Sequence, residues 1–161
     1  MAETTTMNAL DAVSGSLANA YVTIDGSRYL LMNLINFEGN MEVNNTEVPI
    51  LGKTGKGNKP AGWTGTWSAT LHYNTSIFRK VLYTYKKTGY MPPMEIQTTN
   101  ADGGSATGTQ SIIYKNCLIN GGILSKIDVE ADYLDEELEG TFDDWEMPTE
   151  FTTLAGMEAN Q

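Results

Sequence analysis

GWTGTWSATLHYNTSIFRKVLYTYKKTG, residues 62–89, changes its hydrophobic period halfway along, and that change decides the fold class. Trp67, Ala69, Leu71 and Tyr73 alternate with Thr66, Ser68, Thr70 and His72. Alternation puts successive side chains on opposite faces, so this part predicts a half-buried strand. From Asn74 onward the apolar residues are Ile77, Phe78, Val81, Leu82 and Tyr85, which share one helical face. Arg79, Lys80, Lys86 and Lys87 lie off that face. The spacing predicts a helix near residues 75–88, with Asn74 or Thr75 as N-cap and Gly89 at the left-handed C-terminal position. The five apolar residues are expected to pack it onto the rest of the chain.

Working outward, turn signals and alternating runs predict strands on both sides. Tyr21 to Ile24 and Tyr29 to Phe37 flank Asp25-Gly26, a hairpin signature. Met41 to Leu51 is another extended run. Gly52 to Pro60, GKTGKGNKP, is a glycine-rich basic loop with Lys53, Lys56 and Lys59 and no apolar anchor. Residues 38–62 are therefore expected to form an extended hairpin or loop that reaches out of the fold and docks elsewhere. On the other side, Met94 to Thr99 reads as a strand and Ala101 to Gly108 as a flexible turn. Thr109 to Leu118 and Gly122 to Tyr133 read as strands joined by Asn120-Gly121. In the second of these, Ile123, Ser125, Ile127, Val129, Ala131 and Tyr133 share one face, and Asp128, Glu130 and Asp132 share the other. Leu138 to Phe142 reads as the last strand, and a polar tail follows from Met147. The fold class is mainly β, an antiparallel barrel or sandwich with one flanking α-helix and an extended loop or hairpin. The divisions are a weakly patterned arm at 1–18, a β-barrel domain at 19–148 and a tail at 149–161.

Length and composition fit one domain with a real core: 161 residues, 40% hydrophobic, three tryptophans. No apolar run reaches the roughly 18 residues a membrane helix needs, and the N-terminus lacks the basic and apolar regions of a signal peptide. Cys117 is the single cysteine, so no internal disulfide forms. The net charge of −10 is unevenly spread. Seven basic residues and no acid lie between Lys53 and Tyr90, whereas no basic residue follows Lys126. Such a chain can pair its basic part with its acidic part, within one copy or between copies. Its acidity argues against binding nucleic acid by attraction.

The motifs of common chemistries fail on inspection. Leu51-Gly52-Lys53-Thr54 mimics the end of a phosphate loop, but Glu47 stands where the first glycine is needed. Starting from Gly52 instead, Gly57 is followed by Asn58, not lysine. Pro60 breaks the dinucleotide fingerprint. His72, the only histidine, has no serine or cysteine elbow near it, and no Cys/His cluster suits zinc. Asp132 with Asp135-Glu136-Glu137 lacks the EF-hand spacing and its glycine. No catalytic, metal or cofactor residue is assigned.

The order and spacing of several segments resemble the tail-tube proteins of contractile-tailed phages and of PBSX-like defective prophage particles. The carriers begin with Ala20-Tyr21-Val22-Thr23-Ile24-Asp25-Gly26, Gly62-Trp63-Thr64-Gly65-Thr66-Trp67-Ser68 and His72 to Lys80, followed by Lys87-Thr88-Gly89. They continue with Gly108-Thr109-Gln110-Ser111, Ile127 to Asp132, Leu134 to Glu137 and Thr141 to Pro148. The resemblance covers about residues 19–152. It implies a β-barrel-like sandwich with one flanking helix, without enzymatic activity or cofactor. It implies homohexameric rings that stack into a tube inside a sheath, with baseplate and tail terminator proteins as further partners and no membrane. It implies location in the virion tail after assembly in the bacterial host cytoplasm, and an acidic lumen through which DNA passes without specific binding. On that reading Asp128, Glu130 and Asp132 are expected to line the lumen, and Lys53, Lys56 and Lys59 to form a ring-stacking loop. The alternative is the tube of a phage-tail-like bacteriocin or a contractile injection or secretion particle. A more remote one is a small acidic binding module.

Overall fold

The alternating run at 66–73 belongs to a much longer strand than its pattern predicts. A computed structural model describes residues 6–159. The strands are β1 (Ala18–Ile24), β2 (Ser27–Leu30), β3 (Leu34–Val48), β4 (Gly57–His72), β5 (Met94–Ala101), β6 (Thr109–Gly121), β7 (Asp135–Phe142) and β8 (Asp144–Thr149). One helix, α1 (Ile77–Thr88), lies between β4 and β5. All pairings are antiparallel, in the order β2-β1-β5-β6-β7-β4-β3, with β8 on β6. The path does not close on itself, so the architecture is an open barrel or sandwich, mainly β as the sequence predicts.

β6 joins the two halves. Its residues Thr109–Cys117 pair with β5, Ser111–Lys115 pair with β8, and Leu118–Gly121 pair with β7. A bulge re-aims the strand where Asn116 takes φ 54°. This lets Tyr114, Cys117 and Ile119 all face the core despite their uneven spacing.

The core lies between the strands and under α1. It holds Ala20 and Val22 of β1, Trp67, Ala69 and Leu71 of β4, Met94 and Ile96 of β5, Leu138 and Phe142 of β7, and Phe78 and Val81 of α1. Three glycines make room for its aromatic rings. A Cβ on Gly39 would overlap Tyr114, one on Gly65 would overlap the Phe142 ring, and one on Gly140 would meet the Leu118 carbonyl and the Trp67 indole. Phe37, Trp67, Tyr114 and Phe142 pack against one another in the space so left, with the Phe37–Tyr114 centroids 5.5 Å apart and the Tyr114–Phe142 centroids 4.9 Å apart.

Helix α1 ends as expected, with Gly89 at φ 75° and its N–H donating to the Tyr85 carbonyl. Its start differs from the expectation. Ser76 occupies the cap position without a side-chain cap bond, and Thr75 Oγ1 accepts weakly from the Ile77 N–H at 3.4 Å. Asn74 is engaged elsewhere, its Oδ1 accepting from Asn33 Nδ2 at 3.0 Å just before β3. Phe78 and Val81 are buried, and Ile77 and Leu82 are half-buried. Tyr85 is not a packing residue, because it lies on the exposed side of the last turn. An ion pair also fastens the helix: Arg79 Nη1 donates to Glu136 Oε2 at 2.6 Å, its guanidinium stacks on Tyr73 at 4.5 Å, and Glu136 is only 2% exposed. A carboxylate so far from water is tolerable because the guanidinium meets it.

Two further expectations are corrected. Gly122 to Tyr133 is not a strand, and Asn120-Gly121 is not a hairpin turn. The slot beside the C-terminal part of β6 is filled by β7, which pairs with β6 on one edge and β4 on the other. Glu136, Leu138, Gly140 and Phe142 of β7 all turn inward there. Residues 122–134 therefore cross as a loop. A further strand, β8, runs from Asp144 into the start of the supposed polar tail, and it is an edge strand whose Pro148 is compatible with an unpaired outer side. Finally, the weakly patterned N-terminal segment is tied to the 102–106 turn. The Ser14 N–H donates to Asp102 Oδ2 and the Ala106 N–H to Asp11 Oδ1, both at 3.0 Å.

Candidate assembly surface

β3 and β4 stay paired from Leu34↔Leu71 to Val48↔Gly57, but β7 covers β4 only over Gly65–His72. Beyond Gly65 the two strands form an arm with no other strand beside it. Residues 40–64, the tip included, are exposed with the exception of the partly covered Gly57. In an isolated domain such a ribbon has little to hold it, since a lone hairpin is marginal in water. Its root is pinned where Trp145 Nε1 donates to Met41 Sδ at 3.2 Å and Trp63 packs on Phe142.

The arm is apolar as well as exposed: Met41, Val43, Val48, Ile50, Leu51 and Trp63 all show large surface, and Leu51 at the tip is 102% exposed. The sequence singled out Lys53, Lys56 and Lys59 here, and the structure brings the three together in and beside the turn that joins the strands. Lys56 makes a solvent-exposed pair with Glu47 at 3.8 Å. Lys53 and Lys59 have no ion-pair partner among the described residues. Sequence reasoning missed Leu51 and Ile50 as tip residues, although their place just before a glycine-rich turn was a usable signal.

Asp128, Glu130 and Asp132 are far from this tip and do not project in register from a strand. They sit on the exposed 122–134 loop, where Asp128 Oδ1 accepts from the Glu130 N–H at 3.1 Å. Ile127 and Val129, expected in the core, are 91% and 95% exposed. The alternation that directed the acids into a lumen is thus absent. The loop is held at its ends. Lys126 Nζ donates to the Asp135 carbonyl and to Asp135 Oδ1 at 3.2 and 3.1 Å, Tyr133 packs edge-on to His72, and the Tyr73 N–H donates to the Leu134 carbonyl. α1 adds an exposed face of Tyr83, Tyr85, Lys80, Lys86 and Lys87.

The arrangement offers surfaces to dock and little to react. His72 is exposed with its ring edge-on to Tyr133, and no group of three metal-ligating side chains exists among the described residues. Cys117 is fully buried, and burial pushes its thiol up to about 12, far from a reactive thiolate at neutral pH. No helix among the described residues is long and apolar enough to cross a membrane.

The fold has counterparts among solved structures. A chain in the hybrid structure of the SPP1 tail tube matches with TM-score 0.61 and 12% identity, covering 92% of this chain and 91% of that one. A chain in the cryo-EM structure of the anti-feeding prophage tube-terminating cap matches with TM-score 0.62 and 9% identity, covering 92% and 95%. Such low identities speak to the fold alone. Sequence carries further. The phage-like element PBSX protein XkdM of Bacillus subtilis (strain 168) is 30% identical over 142 residues, 88% of this chain and 94% of that protein. The uncharacterized protein YqbM of the same organism matches to the same extent. The sequence model of the family described as "Phage tail tube protein" fits residues 5–149, nearly the whole of the fold above. With that model over most of its length and a relative 30% identical across 142 residues, the chain belongs to the phage tail tube protein family, as a structural tube component.

Proposed function

We propose that this protein self-assembles into hexameric rings that stack into the inner tube of a contractile tail, with the β3–β4 arm linking successive rings. One observation carries the reading: an apolar, lysine-tipped ribbon, residues 40–64, is left uncovered by its own domain. Exposed apolar surface on this scale marks a contact with another molecule. A ring needs a heterologous contact that closes by rotation, and stacking needs a second one between unlike faces. Sheath, baseplate and tail terminator proteins are the further partners of such a tube. Its channel passes DNA, and subunits with net charge −10 favour an anionic wall along which an anionic polymer slides without being held. That wall is proposed on net charge, without assigning Asp128, Glu130 and Asp132 to it.

The test is to shorten the arm. Val43 and Trp63 are register partners, so replacing residues 44–62 by Asn-Gly keeps the remaining ladder in phase. The variant is expected to remain folded and to form no tubes in electron micrographs, under conditions where the full chain does. Normal tubes from the shortened chain would refute the arm's role. A capsid-less injection particle would use the same subunit physics. Capsid and terminase genes beside the coding gene mark a phage or prophage tail, and tail genes alone mark such a particle.

A further inference from the structure

The 122–134 loop is the least explained part of the surface. Connections of this length without secondary structure are uncommon in a small domain and are usually functional. Its ends are fastened as described, so its middle is held in place. Yet that middle presents Ile127 and Val129 to water, beside Asp128, Glu130 and Asp132. Lys126, the loop's only cation, is engaged by Asp135. The presented surface is therefore apolar and acidic. The arm tip is its complement: Ile50 and Leu51 are exposed, and Lys53 and Lys59 are unpaired among the described residues.

The two surfaces cannot meet within one molecule. β4 runs from Gly57, beside the tip, to His72, beside the loop. At about 3.3 Å per residue its 16 residues span roughly 50 Å. Complementary patches at opposite ends of one strand fit a head-to-tail contact between copies, repeated from each copy to the next. We propose that the 124–133 loop of one copy receives the arm tip of another, with Ile127 and Val129 against Ile50 and Leu51 and the loop acids facing Lys53 and Lys59. This names the acceptor of the arm and rests on the tube reading above.

The test uses two full-length variants, Leu51→Cys and Val129→Cys, mixed before assembly and then mildly oxidised. Cys117 is buried and does not compete. A disulfide-linked peptide joining positions 51 and 129, identified by mass spectrometry, can arise from such a mixture only between copies. It is the expected product, absent from either variant alone. A second readout is charge exchange. Lys53→Glu with Lys59→Glu, or Asp128→Lys with Glu130→Lys, is expected to raise the concentration needed for assembly about tenfold or more. Combining the four should bring it back toward wild type. All four positions are exposed, so circular dichroism should show unchanged monomers. Tubes that form without the 51–129 link, or charge-reversed variants that assemble like wild type, overturn the loop assignment and leave the tube reading standing. A wild-type chain that never forms rings or tubes overturns both.

Discussion

Gly140 shows how tightly single residues are specified in this fold. Its backbone conformation is open to any residue, but its missing side chain is not optional, because a Cβ would enter the space of the Leu118 carbonyl and the Trp67 ring. Gly140→Ala is expected to cost about 1–3 kcal/mol by overpacking, read as a lower urea midpoint. A variant as stable as wild type would mean that β6 and β7 can separate freely. Cys117 and Tyr114 make a second, pH-dependent prediction. Burial raises both above their ordinary values of 9.0 and 10.0, and their mutual repulsion adds to the Tyr114 shift while a Thr98 hydrogen bond opposes it. The unfolded chain therefore releases these protons at lower pH than the native one. The Cys117 contribution is intact below about pH 9 and declines as pH rises toward about 12, by up to about 1.4 kcal/mol per pH unit, and the Tyr114 contribution begins to decline only above about pH 10. Urea denaturation at pH 8 and pH 10.5 measures this. Cys117→Ala should flatten the decline, and an unchanged slope would remove Cys117 from the account.

Among the elements, α1 divides its apolar residues unequally. Phe78→Ala should cost roughly 3–5 kcal/mol, since that ring is 4% exposed in the core. Tyr85→Ala should stay within about 0.5 kcal/mol, since that residue is 51% exposed. Equal effects would contradict the helix orientation. The helix and the β1–β2 turn were legible because their signals are local: a change of period, a left-handed glycine, an Asp25-Gly26 pair with φ 50° and 84°. The loop at 122–134 was not. Its alternation satisfies the strand pattern as well as β7 does, but only one segment can lie between β6 and β4. Leu138, Gly140 and Phe142 fit the aromatic core there, a fact of tertiary packing that no short window carries. β8 escaped notice because an edge strand exposed along its whole length leaves no hydrophobic period to read.

At the scale of the molecule, the surface proposed for assembly was half legible. A lysine-rich, glycine-rich stretch without anchors marked the arm tip, while the acids of the loop were placed by a strand that does not exist. The arm also separates the molecule into parts of unequal stability. In monomers, the amides of Asn45–Val48 and Gly57–Lys59 should exchange with solvent faster than those of Gly65–His72, because the former two segments have only each other for support whereas Gly65–His72 lies between β3 and β7. In tubes the difference should shrink. Equal protection in the monomer would show that the arm is stable by itself.

The sharing of β6 between both halves has a mechanical consequence. Backbone hydrogen bonds lie across a strand, so a force along β6 loads its ladders to β5, β8 and β7 side by side. Loaded that way they rupture together in shear, since unzipping one at a time requires a force across the strands. Neither half can slide past the other while β6 is intact. The barrel should therefore transmit thrust as a stiff strut, and strain should collect in the arm, its one slender member.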